Sequence, residues 1–76
     1  MDQIEVALPI KLGQFVKLAS LADSGAQARE MIEMGDITVN GNVETRRGHH
    51  LSNGDVVALQ LPEGAIAVEL VETRSS

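Results

Sequence analysis

Cysteine is absent from the chain. That excludes a disulfide frame, a thiolate nucleophile and a cysteine-type zinc site. There is no tryptophan or tyrosine, and Phe15 is the one aromatic residue. Folds that stack bases on exposed rings, such as the RRM or the cold-shock barrel, would have nothing to stack with. Unbroken apolar runs stop at four residues, as in Val56-Val57-Ala58-Leu59, far short of the roughly 20 that a membrane-spanning helix needs. The opening Met-Asp-Gln-Ile-Glu lacks the basic stretch of a signal peptide, so a cytoplasmic location is expected. Only one core fits in 76 residues. A single domain over residues 1–76 is expected, with its core over about 10–61 and Thr73 to Ser76 fraying. The hydrophobic fraction, 43%, is enough to build that core, so bulk disorder is not expected.

Positive charge is also scarce. Six Lys and Arg stand against 11 Asp and Glu, a net charge of −5. Taken alone, that argues against a nucleic-acid partner. The distribution along the chain points the other way. Lys11, Lys17 and Arg29 meet only Asp23 between positions 9 and 29, and Arg46 and Arg47 meet no acid between 45 and 54. Acidic segments flank both. If the fold joins the two positive segments, they form one patch, and charges beyond a Debye length of about 8 Å matter little to it.

The apolar periodicities outline the elements. Ile4, Val6 and Leu8 alternate with Glu5 and Ala7, a short strand that Pro9 ends. Leu12, Phe15, Val16 and Ala19 follow the i, i+3, i+4, i+7 spacing of a helix over about 11–20. Lys11, Gln14 and Lys17 form a slanting polar band beside that stripe. Ser24 followed by Gln27 is a capping box that opens a second helix, with Ala28, Met31 and Ile32 on its buried face. Gly35 stands where a left-handed C-cap belongs. Ile37 and Val39 alternate with Asp36 and Thr38, and Asn40-Gly41 is a strong hairpin signal that leads to a return strand near Val43. Asn53-Gly54-Asp55 turns into a strand over Val56 to Leu61, and Pro62-Glu63-Gly64 into another over Ala65 to Val71. The expected fold class is α+β, with two N-terminal helices packed on a small, mainly antiparallel sheet.

Catalytic chemistry has little to work with. His49 and His50 are adjacent, point to opposite faces if extended, and would supply only two ligands, so no metal is expected. They read as solvated loop imidazoles, or as RNA contacts. No serine sits in a nucleophile motif, and Ser24 is explained as a helix cap. Gly13, Gly25 and Gly35 are too far apart for a phosphate loop. No enzyme activity, cofactor or small-molecule substrate is expected. Met31 and Met34 are expected to fill the core. The unusual stretch is Thr45-Arg46-Arg47-Gly48-His49-His50. Its two arginines offer planar donor forks matched to phosphate oxygens, and Gly48 frees the backbone for close approach. The plain alternatives are a solvated loop, a wet helix face for Lys11 and Lys17, and an Arg29–Glu33 pair one turn apart.

Four segments, in order, resemble a known family. Ile10 to Ala19 looks like the first helix, and Ser24 to Ile32 the second, of the S-four RNA-binding domain, named for small-subunit ribosomal protein four. Gly35-Asp36-Ile37-Thr38-Val39-Asn40-Gly41 resembles its most recognisable segment, and Asn53-Gly54-Asp55-Val56-Val57 its closing turn. The Glu44 to Gly48 stretch is similar to that of the small stand-alone bacterial YbcJ-like members. The chain departs from the family pattern at Gly13, where an acid is common, and at Gly25, where a basic residue is common. The resemblance implies an α-L type fold whose helices and following loop present one basic face to RNA. It assigns Lys11, Lys17, Ser24, Gln27 and Arg29 to the helical part of that face, and Thr45, Arg46, Arg47, Gly48 and His49 to the loop part. The implied partner is structured RNA, with ribosomal RNA or an assembling ribosome as candidates, bound by a monomer with no membrane partner. The other reading left open is a non-catalytic adaptor that uses the acidic surface to bind protein.

Overall fold

The computed structural model describes residues 1–73. The elements run β1 (Asp2–Val6), α1 (Leu12–Leu18), α2 (Gly25–Glu33), β2 (Ile37–Val39), β3 (Asn42–Val43), β4 (Val56–Leu61) and β5 (Gly64–Glu72). The fold is α+β, and its five strands form one sheet in the order β1-β5-β4-β2-β3. β2 with β3, β2 with β4 and β4 with β5 pair antiparallel, while β1 lies parallel to β5 with Asp2 opposite Val68 and Val6 opposite Glu72.

Local chemistry accounts for most boundaries. The α1 stripe buries Leu12, Phe15 and Val16 completely, and α2 buries Ala28 and Ile32. These join Ile37, Val39, Val57, Leu59, Val68 and Leu70 in one apolar cluster, which Val6 also enters. Ser24 caps α2, its hydroxyl accepting from the Gln27 amide at 3.1 Å. The Gln27 side chain reaches one residue further back than a standard capping box, accepting from the Asp23 amide. Asn40 and Gly41 both take positive φ, 52° and 86°, as a type I′ turn demands. The Asn40 side chain then ties this turn to β4, accepting from Val56 N–H at 2.9 Å and donating to Asp55 at 3.0 Å.

Four expectations are corrected. Leu8 lies outside β1, which ends at Val6. Thr38 is on the face opposite Ile37 and Val39 but is not exposed: all of β2 is buried, and the Gln60 side chain on neighbouring β4 lies over Thr38, donating to its hydroxyl at 3.4 Å. Met34 is not core filler. It sits at the C-cap of α2 and is 73% exposed, whereas Met31 is half-buried against the core. Thr73 is tied down, its amide donating to the Val6 carbonyl at 2.8 Å; the rest of the tail expected to fray lies outside the described residues.

Candidate functional site

α1 begins without a side-chain cap, because Lys11 stands at the N-cap and has no acceptor to offer. The amides of its first turn need partners from elsewhere. Leu12 N–H donates to the His49 carbonyl at 2.8 Å and Gly13 N–H to the Arg47 carbonyl at 3.0 Å, while Leu51 N–H donates back to Ile10 at 3.0 Å. The Gln14 side chain accepts from the Lys11 amide at 3.0 Å. The basic turn therefore caps the helix with its own backbone, and the two positive segments of the sequence meet there. Arg47 and Gly48 are the centre of that turn, closed by His49 N–H on the Arg46 carbonyl at 3.1 Å.

The bare backbone at Gly48 faces open space, while Gly13 packs against the turn. A Cβ on Gly13 would lie 3.4 Å from the Arg47 Cβ and 3.5 Å from its carbonyl oxygen, whereas the space beside Gly48 is open. Both are ordinary contact distances, so the helix and the turn pack directly on each other at this point.

Between this turn and the two helices lies an open groove of about 380 Å³. Lys11, Lys17, Arg29 and Arg47 line it, together with Gln14 and the bare backbone of Gly13, Gly25 and Gly48. No carboxylate is among the described residues that line it. Four of the five described cations of an acidic chain thus share one concave surface. Arg29 also pairs with Glu33 at 3.0 Å, both side chains about half exposed, a pair that contributes only a few tenths of a kcal/mol.

Of the residues assigned to an RNA face from the sequence, the groove brings together Lys11, Lys17, Arg29, Arg47 and Gly48. Ser24 and Gln27 are occupied at the α2 cap, and Gln27 lines a different hollow with Met34 and Asp36. Thr45 is exposed in the loop ahead of the turn. Arg46 does not line the groove. Its guanidinium grips Glu44 through Nε at 3.1 Å and Nη2 at 3.2 Å, and its amide donates to the same carboxylate at 3.1 Å. Those hydrogen bonds hold Glu44 down to about 2, far below the usual carboxylate range, and push Arg46 up. Nδ1 of His49 lies 3.4 Å from Glu44 Oε1, the oxygen that accepts from Arg46 Nη2. Gly13, Gln14 and Gly25 are the lining residues not assigned from the sequence. Gln14 had a signal, since it completes the polar band with Lys11 and Lys17. The two glycines stand where the resemblance leads one to expect an acid and a basic residue.

The comparisons with known proteins agree with the resemblance. The chain is 41% identical over 51 residues to the probable ribosome maturation protein RlbA of Bacillus subtilis (strain 168), a stretch that covers 67% of this chain and 72% of that one. It is 30% identical over 67 residues to the RQC P-site tRNA stabilizing factor of Halalkalibacterium halodurans, covering 88% of this chain and 75% of that one. The S4 domain model matches residues 3–69, which takes in every element from β1 into β5, and the chain belongs to the S4 domain family.

Proposed function

We propose that the chain is a non-catalytic RNA-binding module that holds structured RNA, ribosomal RNA being the candidate, by phosphate contact and shape. The groove formed by Lys11, Lys17, Arg29 and Arg47 is the site. The observation that carries this reading is the gathering of four cations, and no carboxylate, on one concave surface of a chain whose net charge is −5. Phosphate oxygens suit such a surface, because arginine forks and lysine ammonium groups bind them with charge-assisted hydrogen bonds. With Phe15 buried, no Phe, Tyr or Trp ring is offered to a base, so recognition rests mainly on backbone and shape. Gly13, Gly25 and Gly48 leave the groove wall without side chains, which suits a sugar–phosphate backbone lying close. Family membership supports the reading, as do relatives named for ribosome maturation and for stabilizing P-site tRNA. The α-L arrangement, action as a monomer and a cytoplasmic setting belong to the same proposal.

The test is a salt series with an RNA hairpin, followed by fluorescence anisotropy. Four neutralised phosphates give a slope of log K against log salt of about −3 to −4 between about 50 and 200 mM. A nearly flat dependence, or equal binding to heparin and to the hairpin, would refute the proposal.

A further inference from the structure

The last turn of α2 carries charge of the sign that its own backbone disfavours. A helix C-terminus is the negative end of the peptide dipoles and favours lysine or arginine. Here the last turn holds Glu30 and Glu33 and no basic residue, and Asp36 follows just beyond the cap. Glu33 is answered by Arg29, in the poorer Arg-before-Glu order. Among the described residues neither Glu30 nor Asp36 has an ion-pair partner. Beside these carboxylates Met34 stands 73% exposed. It separates two shallow grooves of about 330 and 240 Å³, both bordered by Glu30 and Met34 themselves, with half-buried Met31 in one and the Arg29–Glu33 pair in the other. Carboxylates at the negative end of a helix and a methionine left in water both work against the isolated fold. Such local departures concentrate at functional surfaces.

We propose that this face of α2 docks a basic protein segment that carries an apolar anchor. Charge complementarity selects the occupant. Lysine or arginine stems lie along methionine while their heads reach carboxylates, and the unbranched thioether side chain adapts to an irregular apolar partner. RNA is disfavoured, because its phosphates would meet Glu30, Glu33 and Asp36. The face adjoins the cationic groove, with Arg29 lining both, so one molecule has room for phosphate on one side and a basic protein on the next.

The experiment is an NMR titration of the whole chain, amide shifts being followed as a peptide of about 14 residues is added, built of lysine, leucine and alanine with its leucines at helical spacing. Saturable shifts at Glu30, Glu33, Met34 and Asp36 are expected, and none with the matching glutamate peptide. Met34→Gln should weaken binding about fivefold and Glu30→Gln with Asp36→Asn at least about tenfold. Both variants change exposed side chains, so their spectra should stay folded, and their affinity for an RNA hairpin should not fall. A parent that binds no peptide overturns the proposal, as do variants that bind like the parent. It is equally overturned if an RNA hairpin shifts the Met34 and Asp36 amides, which lie outside the cationic groove, as strongly as those of Lys17 and Arg47, or if sedimentation shows this face joining two copies of the chain. Failure of RNA binding at the groove would leave the peptide and sedimentation outcomes readable.

Discussion

Arg46 and Arg47 are neighbours in sequence with different surroundings, and that difference can be measured. Arg47 lines the groove, while Arg46 is held by the Glu44 carboxylate. Removing Arg47 as Arg47→Ala deletes one phosphate contact. A hydrogen bond to a charged group contributes about 1.5–3 kcal/mol where water is excluded and nearer 1 kcal/mol where it is not. The groove is open, so a loss of about 1–2 kcal/mol is expected, five- to thirtyfold in Kd. The salt slope should become shallower by about 0.9. For Arg46 to bind a phosphate it must first leave Glu44, so its net contribution is small. Truncating Arg46 alone would leave the Glu44 charge unanswered and confuse the result. The fair comparison is therefore Arg46→Ala with Glu44→Gln, which deletes the pair together. That double variant should bind an RNA hairpin within about threefold of the parent, with an unchanged slope. Anisotropy at three salt concentrations on all three proteins decides the matter. If pair deletion costs as much as Arg47→Ala, or if Arg47→Ala leaves the slope alone, the groove has been drawn around the wrong arginine.

Two further outcomes follow from the same structure. Ser24→Ala removes the acceptor for the Gln27 amide and should cost about 1 kcal/mol, seen as a lower denaturant midpoint with unchanged slope; unaltered stability together with weaker RNA binding would instead put Ser24 in the site. Glu44 is depressed in the folded chain, to about 2 from an ordinary value of 4.5, so its ion pair adds stability above about pH 4.5 that is lost as pH falls toward 2. Glu44→Gln should accordingly be less stable than the parent near pH 7, with the gap closing through that window, and a gap independent of pH would refute the assignment.

What could be read from the sequence was whatever neighbouring residues decide among themselves. The 3.6-residue stripe of Leu12, Phe15 and Val16, the Ser24–Gln27 cap and the Asn40-Gly41 turn each involve partners within a few positions, and each is found in the structure. The basic band of α1 and the Arg47 turn were legible as charges, but their meeting depends on the Leu12 and Gly13 amides, whose carbonyl partners at His49 and Arg47 stand more than 30 positions away. Thr38 is buried because strand order, which no local pattern encodes, brings the Gln60 side chain of β4 over its hydroxyl. Met34 was misjudged because methionine is apolar in any context, and only the end of α2 decides that it points to water. Arg46 looked equivalent to Arg47 because the hold of Glu44 on it depends on the loop's backbone path.

The parallel pairing of β1 with β5 sets an order of assembly. Asp2 and Val68 are partners across 66 positions. Closing such a loop in an otherwise open chain costs roughly 4 kcal/mol of entropy, while the β2–β3 and β4–β5 hairpins close over a few residues. β1 is therefore the strand that joins last. During synthesis, at about 5–20 residues per second, it emerges 66 positions ahead of its partner and waits several seconds for that partner to be made. In that interval Ile4 and Val6 are an unpaired apolar strand of the kind that aggregates. Asp2 and Glu5, exposed in the finished fold, have their most useful moment then: two like charges on one short strand repel a second waiting copy until β5 arrives.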